Sequence, residues 1–425
     1  MGALALTLGV LLAQAGGVEV SLQSFPSGPR GGAQDLFAVV TPLLAVESGD
    51  VFALELGAPL RLRAYDAAPS QRTRDHFGLL RREDWDEASD FGQLLRHLRL
   101  GTEGGVFLLR AGAFESHTLG NGALLQRYAN RLNPDHHPAG AQAVLRTGPL
   151  RTELFASDVL LGRVVAGELA LDLARTFGAA PQLHDRTYLS LSALHESGLT
   201  GGRSGAFTLG WLEAETAIVR ASSLRLSAHL GGGGRFARAR SEGVGELLGA
   251  QLGVAGDVEV GSRKLPGRLG FRADARAGGE RFRPGAVRWD HELARLEPGG
   301  EGMGTRPRGL SFRGEVALSL GEVFAGTLAS EHFLEGRTDV ETTLGARLFD
   351  GQGALSARFG VTGLGPRDDD WSTRWFIAGE ARYRIVPSVY VLANGGTVFL
   401  PQAQGSGGLH RGVFAGLGAG FDFEG

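Results

Sequence analysis

The chain has 425 residues, long enough for several soluble domains or one large barrel, and its formal net charge of −3 gives no electrostatic case for nucleic-acid binding. The absence of Cys removes disulfide frameworks, thiolate metal sites and Cys nucleophiles. Gly is about twice its usual share, at 68 residues, without the three-residue period of collagen, and no apolar run beyond the N-terminus reaches the roughly 20 residues of a membrane helix.

Residues 1–15 read as a signal peptide. Leu4 to Ala13 is a short apolar segment, and Ala13-Gln14-Ala15 offers an A-x-A cleavage site before Gly16, although Lys and Arg are missing ahead of it. A buried first strand is the competing reading. Export is the expectation, with a mature chain of residues 16–425 forming one domain.

Beyond Gly16 the dominant signal is alternation with period two. The segments are about 18–24, 36–46, 51–65, 93–100, 105–114, 139–147, 150–157, 162–173, 183–195, 205–220, 223–231, 243–262, 268–281, 308–320, 322–333, 338–348, 353–363, 373–386, 389–400 and 410–423. In 353–363, Leu355, Ala357, Phe359 and Val361 alternate with Ser356, Arg358, Gly360 and Thr362, so each set occupies one face. Many segments run about 10–14 residues, against a mode of 5–6 in soluble proteins and roughly 9–11 for a tilted membrane strand. Short connections at Gly321, Asp350-Gly351 and Val386-Pro387-Ser388 alternate with longer ones, expected to be external, at Gly365–Ser372, Pro401–Leu409 and Arg283–Pro307. That rhythm predicts a transmembrane, antiparallel, up-and-down β-barrel. In 93–100, Phe91, Leu94, Leu95 and Leu98 have helical spacing behind Ser89-Asp90 as an N-cap. Removing that segment and one more, to keep an even count, gives about 18 strands within a range of 16–20.

With the apolar rows on lipid, Arg313, Arg347, Arg358, Glu380 and Arg382 face the lumen. So many charges need a wet interior, mutual pairing, or both. The last segment, 410–423, sets Val413, Ala415, Leu417, Ala419, Phe421 and Phe423 against Gly416, Gly418, Gly420 and Asp422. It resembles the terminal strand by which the barrel-assembly machinery recognises outer-membrane proteins, although Glu424-Gly425 follows the aromatic.

Two polar segments, 66–92 and 115–138, interrupt the pattern. The first carries Arg81, Arg82, Glu83, Asp84, Trp85, Asp86 and Asp90. The second carries His117-Thr118-Leu119-Gly120-Asn121-Gly122, Arg127-Tyr128, Arg131 and Asn133-Pro134-Asp135-His136-His137. Together with Glu153-Leu154-Phe155 and Asp158-Val159-Leu160, this run resembles an uncharacterised family of outer-membrane proteins from deltaproteobacteria. The resemblance spans about residues 72–175 and implies no particular activity.

Long loops without structure are usually functional or disordered. Folded into the lumen, these two would narrow it, with Arg81, Arg82, Glu83, Asp84, Asp86, Arg127, Arg131 and Asp135 forming a charged constriction. Asp84 and Asp86 would pair with, or face, Arg127 and Arg131. Trp85, Leu119, Leu124 and Leu125 would pack the inserts against themselves. The competing reading is a pair of solvated external loops.

Asp135-His136-His137 has metal-ligating residue types, but adjacent histidines on extended chain point opposite ways, so no metal site is expected. The same geometry separates Ser116-His117 and His195-Glu196-Ser197, and no nucleophile elbow or zinc-protease helix is present. The expectation is therefore a non-enzymatic, porin-like outer-membrane channel for small polar solutes. It needs no cofactor, its partners are outer-membrane lipid and those solutes, and the alternatives are a closed structural or surface-binding barrel without transport and, behind that, an outer-membrane barrel enzyme.

Overall fold

A computed structural model describes residues 13–27, 33–67, 80–198, 206–236, 248–262, 265–279, 281–296, 309–365, 375–401 and 409–424. Its strands are β1 (Ala13–Ser27), β2 (Ala33–Ser48), β3 (Phe52–Leu56), β4 (Leu60–Tyr65), β5 (Leu95–Gly101), β6 (Phe107–Gly112) and β7 (Gly140–Thr147). Then come β8 (Leu150–Ala156), β9 (Val164–Asp172), β10 (Thr187–Glu196), β11 (Phe207–Arg220), β12 (Leu224–Phe236), β13 (Leu248–Gly261) and β14 (Pro266–Gly278). The last are β15 (Gly309–Leu320), β16 (Phe324–Phe333), β17 (Thr338–Leu348), β18 (Gly353–Leu364), β19 (Trp375–Val386), β20 (Val389–Pro401) and β21 (Leu409–Glu424).

Every neighbouring pair is antiparallel, and β1 closes the ring by pairing with β21, Gly16 opposite Phe423 and Leu22 opposite Leu417. β3 and β4 pair with opposite ends of β2 and share one position, so the barrel has 20 strands. This corrects the count of 18. Segment 93–100 is not a helix to be discarded: a 3-10 helix, Ala88–Leu94, stops where β5 begins. The helical spacing of Phe91 and Leu94 belongs to that helix, whereas Leu98 and Leu100 alternate with inward Arg99. The N-cap is Glu87, whose backbone N–H donates to the Asp90 carboxylate at 2.9 Å.

The wall is inverted relative to a soluble barrel. Leu22, Leu191, Leu230, Phe312, Leu328 and Leu417 are exposed on the outside, Leu417 at 71%, while Arg276, Glu331, Asp339 and Glu341 are buried inside. Such an exterior is stable only against lipid. Residues 1–12 lie outside the described residues. Ala13–Ala15 pair with Glu47–Ala45, so a chain cut before Gly16 still enters the barrel within β1.

Along the axis the interior divides in two. Toward the long connections, the inward positions Phe207, Leu209, Trp211, Asp274, Ser311, Arg313, Phe333 and Asp339 are buried. Toward the short turns, inward Ser190, Arg268, Ser319, Ser356, Glu380 and Arg382 are half-buried or exposed. The half at the long-connection end is filled, and the half at the short-turn end opens to water. The segment 281–296, expected to be part of an external loop, is one of the elements that fill it, with Phe282, Val287 and Trp289 buried.

Candidate pore constriction

The centre of the filled half is the connection between β6 and β7. It doubles back as a hairpin, in which the N–H of His117 donates to Tyr128 O and that of Tyr128 to His117 O, both at 2.8 Å. Gly120 (φ +53°) and Gly122 (φ +71°) make the turn. A Cβ at Gly120 would meet the Glu168 carboxylate of β9, and the left-handed backbone there favours glycine. Leu119, Leu124, Leu125 and Tyr128 then share a dry core with Phe155, Leu194, Leu209 and Trp211 of β8, β10 and β11. This packing is the apolar side of the hairpin.

Segment 281–296 meets the hairpin through one parallel bridge, Leu125 with Val287, and ends in a short helix, His291–Leu296. Val287 N–H donates to Leu124 O at 3.0 Å, and Gln126 N–H to Val287 O at 2.8 Å. Trp289 anchors the far end on Phe376 of β19, ring centroids 5.0 Å apart, with Leu132 and Leu293. Tyr128 O–H donates to Glu292, and His291 pairs with Glu196 of β10 at 2.5 Å, both fully buried.

Residues 80–94 form the third inserted piece. The Arg81 guanidinium stacks on Phe25 at 4.6 Å and pairs with Asp84 and Asp135, each at 2.7 Å, while Arg61 of β4 also reaches Asp84 at 2.8 Å. Burial opposes the charge on Arg81, but Asp135, Asp84 and Glu83 outweigh it and hold its pKa above the ordinary value. Arg131 donates to the carbonyls of Pro138, Gly92 and Leu95 at 2.8–3.0 Å. Burial and nearby Arg96 bring its pKa down to about 10.

Arg127 crosses to the opposite wall. Its backbone is left-handed (φ +49°), and its guanidinium donates to Glu341 at 2.9 Å, Glu315 at 3.3 Å and Thr327 at 2.7 Å. Burial disfavours this cation, but the two carboxylates prevail and raise its pKa. Arg313 and Arg358 complete the network on Glu315 and Glu341, each at 3.0 Å. The side chains of Glu315 and Arg358 keep 23% and 12% of their exposure, so water reaches this seam from the open half. The body of the hairpin is thus apolar toward β8–β11 and ionic toward β15–β18, while Asn121 at its tip donates to Glu213 and Glu215 of β11.

The constriction residues named from sequence do not converge on one ring. Arg81, Asp84 and Asp135 meet, and this is how the two polar segments are joined. The expected pairing of Asp84 and Asp86 with Arg127 and Arg131 does not form, because Arg61 and Arg81 hold Asp84, strand carboxylates hold Arg127 and backbone carbonyls hold Arg131. Glu83 and Asp86 are exposed, and the Arg82 side chain lies outside the described residues. Trp85 packs edge-on to Phe91, centroids 5.7 Å apart. Arg313, Arg358, Glu380 and Arg382 stand on inward positions, Arg382 pairing with Glu19 at 3.0 Å, and Arg347 sits at the rim of the open half. Sequence reasoning missed Glu341, Thr327 and the whole of 281–296 as parts of the seam. Strand alternation would have flagged Glu341, on the inward face of β17.

His195 is exposed and bonds Thr208, whereas Glu196 beside it is buried against His291, as neighbours on a strand must diverge. His136 bonds Arg163 and Asp135 pairs with Arg81. Among the described residues, no three His, Cys, Asp or Glu side chains are grouped to hold a metal.

The fold and interior define a closed, membrane-spanning barrel with folded segments inserted in one half. Among solved structures the chain is similar to Pseudomonas aeruginosa OccK11 (OpdR), at 12% identity over 97% of this chain and 96% of that one, TM-score 0.35. It is also similar to the outer membrane protein opdK of Pseudomonas aeruginosa, at 10% identity over 97% and 98%, TM-score 0.37. A third is Pseudomonas aeruginosa OccK2 (OpdF), solved in complex with glucuronate, at 11% identity over 97% and 96%, TM-score 0.34. No family model and no curated relative matches the chain.

Proposed function

We propose that the protein is an outer-membrane, porin-like channel whose bore for small polar solutes is the seam around Arg127. The observation that carries this reading is the two-faced hairpin, dry against β8–β11 and charged where it meets β15–β18 at the edge of a wet vestibule. Around that seam, Arg272, Arg313 and Arg358 stand on one wall. Glu168, Glu213 and Glu215 stand on the other without an ion pair among the described residues; Asn121 donates to Glu213 and to Glu215. Opposed charges of this kind set a transverse field for passing ions. In this reading, export removes residues 1–15 and β21 serves in assembly. Sequencing the N-terminus of protein from the outer-membrane fraction checks the first point, a start near Gly16 being expected.

The test is conductance in planar bilayers. The native chain should give a small, steady conductance. Replacing 120–134 by a short Gly-Ser loop should raise it several-fold, and Arg127→Ala should shift selectivity toward cations. A silent native chain whose folded variants are equally silent supports the second reading, a closed structural barrel. That reading is favoured by the dry packing of the filled half.

A further inference from the structure

A separate charge anomaly lies on the inner face of β5–β8, near the short-turn end. In the strand register Arg99 stands directly opposite Arg110, and Arg146 directly opposite Arg151. Leu100, Phe107, Leu145 and Leu154 of the same strands are exposed on the outer face, so alternation turns all four arginines inward. Directly opposed side chains are about 5 Å apart at Cβ, and like charges in that position destabilise a sheet.

The local carboxylates do not balance them. Arg110 pairs with Glu103 and Arg151 with Glu153, and Arg146 donates to the Gly105 carbonyl at 3.2 Å. Glu153 is itself directly opposite Glu168, so its charge is already crowded. Arg99 makes no hydrogen bond or ion pair among the described residues, and its Nε is buried without a partner. The buried arginines of the filled half differ: Arg276 has Asp274 and Glu331, and Arg288 has Glu331 and Asp339. All four rim arginines stay partly exposed to the wet half.

We propose that this rim is an anion-binding site that takes a small oxyanion, phosphate-like in charge and shape, from the aqueous vestibule. Guanidinium groups recognise such oxygens through paired N–H donors, and an oxyanion between opposed arginines removes their repulsion. The site does not depend on an open lumen, so a barrel silent in bilayers leaves it standing.

Inorganic phosphate is the probe, read as the thermal unfolding midpoint of the detergent-solubilised full chain at constant ionic strength. Phosphate should raise the native midpoint above that in matched chloride, with an apparent Kd weakened at least tenfold in the double variant Arg99→Gln/Arg146→Gln. Arg99→Glu, which sets a carboxylate opposite Arg110, should raise the midpoint without phosphate and abolish the response. Equal shifts in phosphate and chloride, or equal responses of native chain and double variant, would overturn the site. A parallel titration with short-chain phosphatidylglycerol separates the sources. Stabilisation by that lipid and none by phosphate would place the ligand at a headgroup and refute the vestibule site.

Discussion

The two halves of this barrel share one wall and differ in what the wall encloses. In the filled half, inward charges are buried within ionic networks, and apolar inward residues find partners on three inserted segments. In the open half, the same alternation presents serines, glycines and charges to water, with pairs such as Arg347–Glu322 at 61% and 84% side-chain exposure. The lesson is that alternation sets the facing of a side chain but not its dielectric surroundings. The inserts decide those, and with them the energetic weight of each inward residue.

The largest expected effect falls on the filled half. Trp289 holds segment 281–296 to β19, buried with Leu132, Leu293 and Phe376. Trp289→Ala should cost about 3–5 kcal/mol in that half, since a large aromatic is lost from a packed site. Denaturation followed by hydrogen exchange should show the loss at hairpin and segment amides, while β1, β20 and β21 keep their protection. Uniform loss around the barrel would mean that the inserts and wall unfold as one unit, and the comparison would collapse.

How much of this was legible beforehand follows from the same division. The facing of Arg358 against Phe359, or of Glu380 against Ile377, is written in period two and can be read from sequence. The apolar residues Leu119, Leu124 and Leu125 in a polar segment also signalled that it folds inward. Segment 281–296 carried the same kind of signal in Phe282, Val287 and Trp289, but with nothing to show where they pack. They have neither strand nor helix period, and their partners, such as Leu125 and Phe376, lie far away in sequence. The destination of Arg127 was hidden for the same reason: its carboxylates stand on β15 and β17, and nothing near Arg127 names them. The two halves of the interior, being set by long-range contacts, were not legible at all.

A second effect is expected from acid. His117 stacks on Phe155 at 4.3 Å in the filled half, and burial, with the Arg110 charge, pushes its pKa down to about 4. An unfolded His binds its proton near pH 6.5, so between pH 6.5 and 4 the unfolded chain holds more protons and native stability falls with pH. Burial lowers the pKa of His136 and His137 too, in the same direction. Asp90 opposes them: burial raises its pKa to about 6, so its contribution grows as pH falls from 6 toward 4. Three histidines in this half act in one direction and Asp90 in the other, so a net loss on acidification is expected. Protease resistance of the hairpin should drop over this window, and His117→Phe should remove part of the slope. If the slope is unchanged in that variant, His117 is not what couples the filled half to pH.

The smallest effect belongs to the open half and sharpens the contrast by its absence. Arg347 and Glu322 pair near the short turns in nearly full contact with water. Exposed pairs contribute about 0–1 kcal/mol because solvent and salt screen them and two long side chains must be held still. Arg347→Gln should therefore leave the unfolding midpoint almost where it was, and high salt should erase what difference there is. Arg288→Gln is the matched comparison in the filled half. Its guanidinium is buried between Asp339 at 2.6 Å and Glu331 at 3.4 Å, so the variant strands carboxylates in a dry site and should cost about 3–5 kcal/mol, insensitive to salt. Both substitutions remove an arginine paired with carboxylates inside the same barrel, Arg347 on the wall of the open half and Arg288 on the insert that fills the other, so the contrast reads the difference in burial. Similar costs for the two would mean that water reaches Arg288 as freely as Arg347, and the filled half would be wet as well.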